Sequence, residues 1–239
     1  MAQRVHSQEK GRDTYHHGDL HHALVAAGME LARSGGAEAV VLREATRRTG
    51  VSPNAAYRHF DSREALLDEV AVRASRKLAE SMKTSVARAR AEFAGSDPKK
   101  IATEVILSAC RGYIGFALME PGWFNVSSAI SDRAMTYLYD GASMPSGESA
   151  THEEPESVEE PEDGPRTARA VLADVLVLPE GISWAPSISA EDLELMLRSM
   201  LYGFSVLSTV GALRREDHTQ LEGRLLSLIR ASVAGAIKQ

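Results

Sequence analysis

The chain has 239 residues, enough for one compact unit or two small ones with a sizeable core. A 44% hydrophobic content is that of a globular protein, and 5% aromatic residues leave the core to Leu, Val, Ala and Met. A formal net charge of -6 does not by itself suggest a polyanionic partner, and the single cysteine, Cys110, excludes an internal disulfide framework and suits a reducing cytoplasm. The N-terminus lacks the apolar centre of a signal peptide, and no apolar run approaches membrane-spanning length.

The charge is unevenly placed. Glu148, Glu153, Glu154, Glu156, Glu159, Glu160, Glu162 and Asp163 supply eight negatives with no base between them, and without these the rest of the chain is basic by two. The first 63 residues hold nine Lys and Arg against seven Asp and Glu, with six of the eight histidines.

Residues 1–13 are polar and carry Arg4, Lys10 and Arg12. They read as a flexible basic arm, either disordered or ordered on phosphates or in a minor groove. Leu20, Leu24, Ala27 and Leu31 predict a helix that begins after Tyr15–Asp19 and stops at Ser34-Gly35-Gly36. His17 and His21 have the i,i+4 spacing that can share a zinc ion. No carboxylate or thiol at ligand spacing completes a set, so no metal and no other cofactor is expected. The histidines and Tyr15 suit positions near phosphate instead.

Leu42 to Leu67 reads LREATRRTGVSPNAAYRHFDSREALL. Leu42–Thr49 predicts a short helix from which Arg43, Arg47 and Arg48 project. Gly50 then stands where a left-handed backbone is wanted. Ser52 is an N-cap and Pro53 a first helical residue, opening a second helix expected over Pro53–Phe60. Asp61-Ser62-Arg63-Glu64 has capping-box spacing, with Asp61 as the cap. Two helices joined by a Gly-containing turn form a helix-turn-helix, which places its second helix in the DNA major groove.

The run Tyr57-Arg58-His59-Phe60, with Asp61, Arg63, Glu64 and Leu66 after it, resembles the TetR family of bacterial transcriptional repressors. The resemblance is close over Thr14–Val70. It implies that Tyr57, His59 and Arg63 (usually Lys in the family) contact phosphate. It also implies that Pro53, Asn54, Ala55, Arg58 and, on the preceding helix, Arg43 face the bases. Arg58 or Arg43 could take guanine, Asn54 adenine and Ala55 a thymine methyl. Ala45, Val51, Ala56 and Phe60 should be buried, and Thr46 stands where the family usually has Ala.

Ser62–Met82 predicts an amphipathic helix with Leu67, Val70, Ala74, Leu78 and Met82 on one face; in the family this helix carries the ligand signal. After Gly95-Ser96-Asp97-Pro98, a further helix is expected to Met119, ended by Pro121-Gly122. Arg111–Phe124 is similar to a segment of one TetR subgroup. Tyr113, Phe116, Met119, Trp123, Phe124 and, later, Met200 are core residue types that equally line an apolar pocket, and the family fold puts a small-molecule site among these helices.

Residues 140–165 are rich in Gly, Ser, Pro and Glu and predict an acidic disordered loop, inserted relative to the usual family layout. Arg166–Leu178 resumes a helical pattern, and Leu178–Pro186 is loop, with Trp184 able to fold back onto the core. Two helices end the chain, within 189–213 and 217–237. The first is apolar over a wide arc, so the pair is expected to meet a second copy as a four-helix bundle. Arg198 and Tyr202-Gly203 replace a Trp and His-Gly signature of that subgroup.

No nucleophile elbow, phosphate loop or isolated carboxylate pair gives catalysis residues to stand on. The expectation is an all-α protein with a three-helix DNA-binding domain at residues 14–61 and a larger helical ligand-binding and dimerisation domain at 62–239. Its expected partners are a palindromic DNA operator, a small-molecule effector and a second copy of the chain, acting as a ligand-responsive repressor in the cytoplasm. An activator of the same fold, or a helical interaction module without DNA binding, are the alternatives.

Overall fold

The computed structural model describes residues 17–128 and 167–238. The basic arm at 1–13, Tyr15, His16 and the acidic segment 140–165 lie outside the described residues. In chain order the elements are α1 (His17–Ala39), α2 (Leu42–Thr49), α3 (Pro53–Ala56), α4 (Arg63–Glu92) and α5 (Pro98–Met119). They are followed by α6 (from residue 121, described to 128), α7 (Ala168–Val175), β1 (Ser183–Trp184), α8 (Ala190–Thr209), α9 (His218–Ala236) and β2 (Ile237–Lys238). Among the described residues the fold is all-α apart from one short antiparallel pair, β1 on β2, in which Trp184 faces Ile237.

Local chemistry sets most helix starts. Asp97 accepts the amides of Lys99 and Lys100 ahead of Pro98, and Asp217 accepts those of Thr219 and Gln220. Ser189 and Asp192 cap each other's backbone at the head of α8. One expected start moves by a residue: Ser62, not Asp61, caps α4, accepting the Ala65 amide at 3.1 Å. The break at Gly35-Gly36 occurs where expected, although one further turn follows it before α1 ends.

Two apolar cores share α4, which at 30 residues is about 45 Å long. Leu66, Leu67, Val70, Ala71 and Ala74 pack with α1 to α3, whereas Leu78, Ala79, Met82, Val86 and Ala89 pack with α5, α7, α8 and α9. The helix therefore runs ten residues past the expected end at Met82, because Val86 and Ala89 bury a further two turns against the larger core. The apolar stripe passes from one core to the other between Ala74 and Leu78.

Helix α5 is the spine of the larger core. Its most apolar 18-residue stretch has a mean hydropathy of 1.4, so by length and composition it could cross a membrane, contrary to the expectation from the sequence. Some 78% of that stretch is buried inside the fold, and a helix surrounded by neighbours is apolar all round for that reason. Cys110 lies in it fully buried, and desolvation pushes its thiol up to about 12, where a thiolate does not form at neutral pH.

Candidate nucleic-acid interface

Helix α2 ends on Gly50, whose left-handed φ of 70° lets its amide reach the carbonyl of Thr46. Ser52 accepts the Ala55 amide at 3.3 Å and Pro53 opens α3. The expected helix over Pro53–Phe60 is regular only to Ala56. Arg58 and His59 donate to carbonyls three residues back, at Ala55 and Ala56, so the last turn tightens. That tightening tucks Phe60 (2% exposed) under the motif beside Ala45 and Ala56, both fully buried, with Val51 half-buried. Thr46 is buried as well, and its hydroxyl donates to the Arg43 carbonyl at 2.7 Å, which satisfies the one polar atom that Ala would not bring.

What faces outward is the set expected to meet DNA. Arg43, Pro53, Asn54, Tyr57 and Arg58 are exposed, and Ala55 and His59 half-buried. Tyr57 is 56% exposed and leaves its ring and hydroxyl open to solvent. Glu44 stands among these cations and was not singled out from the sequence. Its carboxylate takes a two-point bond from Arg47 at 2.9 and 2.6 Å and lies 3.6 Å from Arg48, and the Arg47 hydrogen bond holds it below the usual carboxylate range. The Glu-x-x-Arg-Arg spacing on α2 was the available signal.

Arg63, expected at a phosphate, is held by backbone carbonyls of the chain itself. Its guanidinium points back under the motif, donating from Nε to the Val40 carbonyl at 2.8 Å and from Nη2 to the Ala37 carbonyl at 2.6 Å. His21 is also drawn inward. Its ring stacks on Phe60 with centroids 4.8 Å apart, and Nε2 lies 2.9 Å from the Glu69 carboxylate, a partner supplied by α4 and invisible at local spacing.

The motif is bolted to the larger core through the corner between α5 and α6. Arg33 of α1 forks onto Glu120 at 2.8 and 2.6 Å, and Trp123 donates its indole N–H to the Met29 carbonyl at 2.8 Å. Asn125 accepts the Ala37 amide at 3.0 Å, and Val126 is fully buried in the smaller core. The carbonyls of Ala32 and Arg33 pass so close to Gly122 that a Cβ there would collide with both.

Of the six residues considered for a small molecule, four gather at this corner. Tyr113 and Phe124 meet edge to face at 5.8 Å, Phe116 stacks with Trp123 at 6.5 Å, and Tyr202, not among the six, lies 6.3 Å from Phe124. Met119 is 81% exposed and does not join them, and Met200 is half-buried on α8 against the larger core. A separate apolar crevice of about 290 Å³, bordered by Arg90, opens where Ile101 and Val105 meet Val175 and Leu178, at the opposite end of α5.

Geometry and exposure together define a helical protein with a helix-turn-helix DNA-binding domain at its N-terminus. Residues 24–70 match the model of the family of bacterial regulatory proteins, tetR family. Over 104 residues the chain is 28% identical to the uncharacterized HTH-type transcriptional regulator YobS of Bacillus subtilis (strain 168), covering 44% of this chain and 49% of that protein. The chain thus spans about half the length of this curated relative. A solved structure of a protein with unknown function from Rhodococcus sp. RHA1 shares the fold, with a TM-score of 0.58 at 18% identity over 94% of this chain and 99% of that one. Residues 24–70 thus form a DNA-binding domain of the tetR type.

Proposed function

We propose that the chain is a homodimeric repressor in the cytoplasm that reads a palindromic operator and releases it when a small molecule binds the larger domain. The observation that carries this reading is the outward set Arg43, Asn54, Tyr57 and Arg58 on a frame whose inner residues, Ala45, Ala56 and Phe60, are all buried. Asn54, Arg58 and Arg43 have the donors to read base edges, Pro53 and Ala55 supply apolar contact, and Tyr57 and His59 donate to phosphate without reading sequence. Two such motifs on one dimer meet two half-sites about one helical turn apart, and so demand a palindrome.

The second copy is supported by α8 and α9. Leu195, Leu207, Val210 and Leu228 are exposed between 45% and 70%, and Gly203 and Gly223 have open space where a Cβ would point. A face of this kind is covered when two hairpins pair as a four-helix bundle. The effector is supported by Tyr113, Phe116, Phe124 and Tyr202 lying next to the corner that holds α1. A ligand that moves Phe124 moves Trp123 and Asn125 with it, and it weakens DNA binding only by favouring the displaced state.

The experiment is selection from a randomised duplex pool by the purified chain, followed by titration of the enriched duplex in excess nonspecific competitor. A palindrome bound saturably supports the reading, and an unenriched pool sinks it in favour of a helical interaction module. Transcription from a promoter carrying the enriched site separates repression from activation.

A further inference from the structure

We propose that Arg63 is a positioning residue, not a phosphate contact: it locks the corner between α1 and α2 and joins that corner, through Ala37, to Asn125 of α6. Its three guanidinium nitrogens are all directed at acceptors of the protein. Nε and Nη2 hold the Val40 and Ala37 carbonyls at 2.8 and 2.6 Å, and Nη1 lies 3.8 Å from the Glu64 carboxylate. The side chain is 31% exposed, and the carboxylate beside it, 58% exposed, would meet an approaching phosphate with like charge.

The corner needs such a brace. Beyond the kink at Gly35-Gly36 the last turn of α1 holds no basic residue of its own, and its terminal carbonyls want a cation. Helix α2 then starts from Val41 without a side-chain cap, so its direction is inherited from the backbone at 37–41. A planar fork presents two donors at a fixed separation to the two carbonyls, whereas an ammonium group would have to reach both from a single atom on a flexible stem. Ala37 is gripped from both sides, its carbonyl by Arg63 and its amide by Asn125 at 3.0 Å. Three hydrogen bonds therefore run from Asn125, beside Phe124 of the aromatic cluster, through Ala37 and Arg63 to the backbone that feeds the helix-turn-helix.

The test uses the full chain carrying Arg63→Lys, Arg63→Gln or Asn125→Ala, the duplex enriched by the wild-type chain, and amide hydrogen exchange at Ala37 without DNA. The DNA arm rests on the DNA-binding reading above; the exchange arm does not. The expected result is that Lys and Gln both weaken binding roughly tenfold, the order set by one charged hydrogen bond, with the salt dependence of affinity unchanged. Ala37 then exchanges faster in all three variants. The proposal is overturned if Lys binds like wild type, Gln lowers the slope of log affinity against log salt by about 0.9, the loss of one phosphate contact, and Ala37 exchange stays as it was. Should the Gln variant not fold, the Lys variant decides, since a phosphate contact tolerates it and a two-carbonyl brace does not. Should no duplex be enriched, the DNA-binding reading fails, and Ala37 exchange in the Lys variant alone supports or overturns the brace.

Discussion

Trp123 donates its indole N–H to the Met29 carbonyl, 2.8 Å away in α1, while its neighbour Phe124 turns the opposite way to meet the Tyr113 ring at 5.8 Å. Adjacent residues on α6 thus reach both cores: Phe124 is buried in the larger one, and Trp123 packs against both. Arg33 and Lys77 each bring a cation to 5.1 Å from the centre of the Trp123 ring, so α1 and α4 both hold it. The corner between α5 and α6 is where the larger core meets the domain that carries the helix-turn-helix.

Loosening that corner should cost stability. Trp123→Phe keeps a ring and removes the donor, for an expected loss of about 1 kcal/mol. Gly122→Ala drives a methyl group into the carbonyls of Ala32 and Arg33 and should cost about 1–3 kcal/mol, the range for overpacking. Denaturant unfolding of the two variants checks both figures; a Gly122→Ala chain as stable as wild type would show that α1 moves away freely.

On DNA, the exposed residues of α3 and its final turn should divide by what they touch. Tyr57→Ala should weaken binding to all duplexes alike, because phosphate carries no sequence. Arg58→Ala should instead relax preference at one base pair, by about 1–3 kcal/mol. Competition among single-base variants of the enriched duplex tells the two patterns apart, and a sequence-dependent loss in Tyr57→Ala would reassign it to base reading.

The proposed dimer face makes a prediction independent of DNA. Leu207 and Val210 near the end of α8 are 45% and 70% exposed in the single chain. Replacing both by Asp removes nothing from the monomer's core and puts two like charges from each copy into a shared bundle. Sedimentation equilibrium should then report a monomer with an unchanged helical spectrum. Retention of the dimer would move the interface elsewhere.

Glu104 on α5 ties α9 to the core through a two-point pair with Arg230, one contact being 3.0 Å. That hydrogen bond, opposed by desolvation and aided by the charges of Arg230, Arg111 and Lys100, holds the carboxyl below its ordinary 4.5. A carboxyl lowered in the fold contributes stability above its unfolded value, and the contribution is lost as pH falls through the folded one. Glu104→Gln should therefore cost about 1–2 kcal/mol at neutral pH, discounted because Arg230 is 45% exposed. The gap from wild type should narrow as the pH is taken below 4.5, which thermal melts across that range would reveal.

Much of this was legible along the chain because it depends on neighbours in sequence. Gly50, Ser52 and Pro53 fix the turn of the motif by backbone geometry and capping, and Asp97, Ser189 and Asp217 cap their helices from within three residues. Alternation of Ala45, Ala56 and Phe60 with Asn54, Tyr57 and Arg58 likewise sorts inside from outside by helical period.

The sequence by itself determined the helical class, the helix-turn-helix and its outward residues, since each follows from local propensity and spacing. Tertiary structure decided where the polar groups were spent. Arg63 has its phosphate-seeking charge turned onto Ala37 and Val40, His21 finds Glu69, Trp123 finds Met29, and α4 runs to Glu92 because a second core waits there. Those partners are 23 to 94 residues apart in the chain. No local pattern records such a distance, and hydrogen bonds form only between groups that the packed core has already brought within reach.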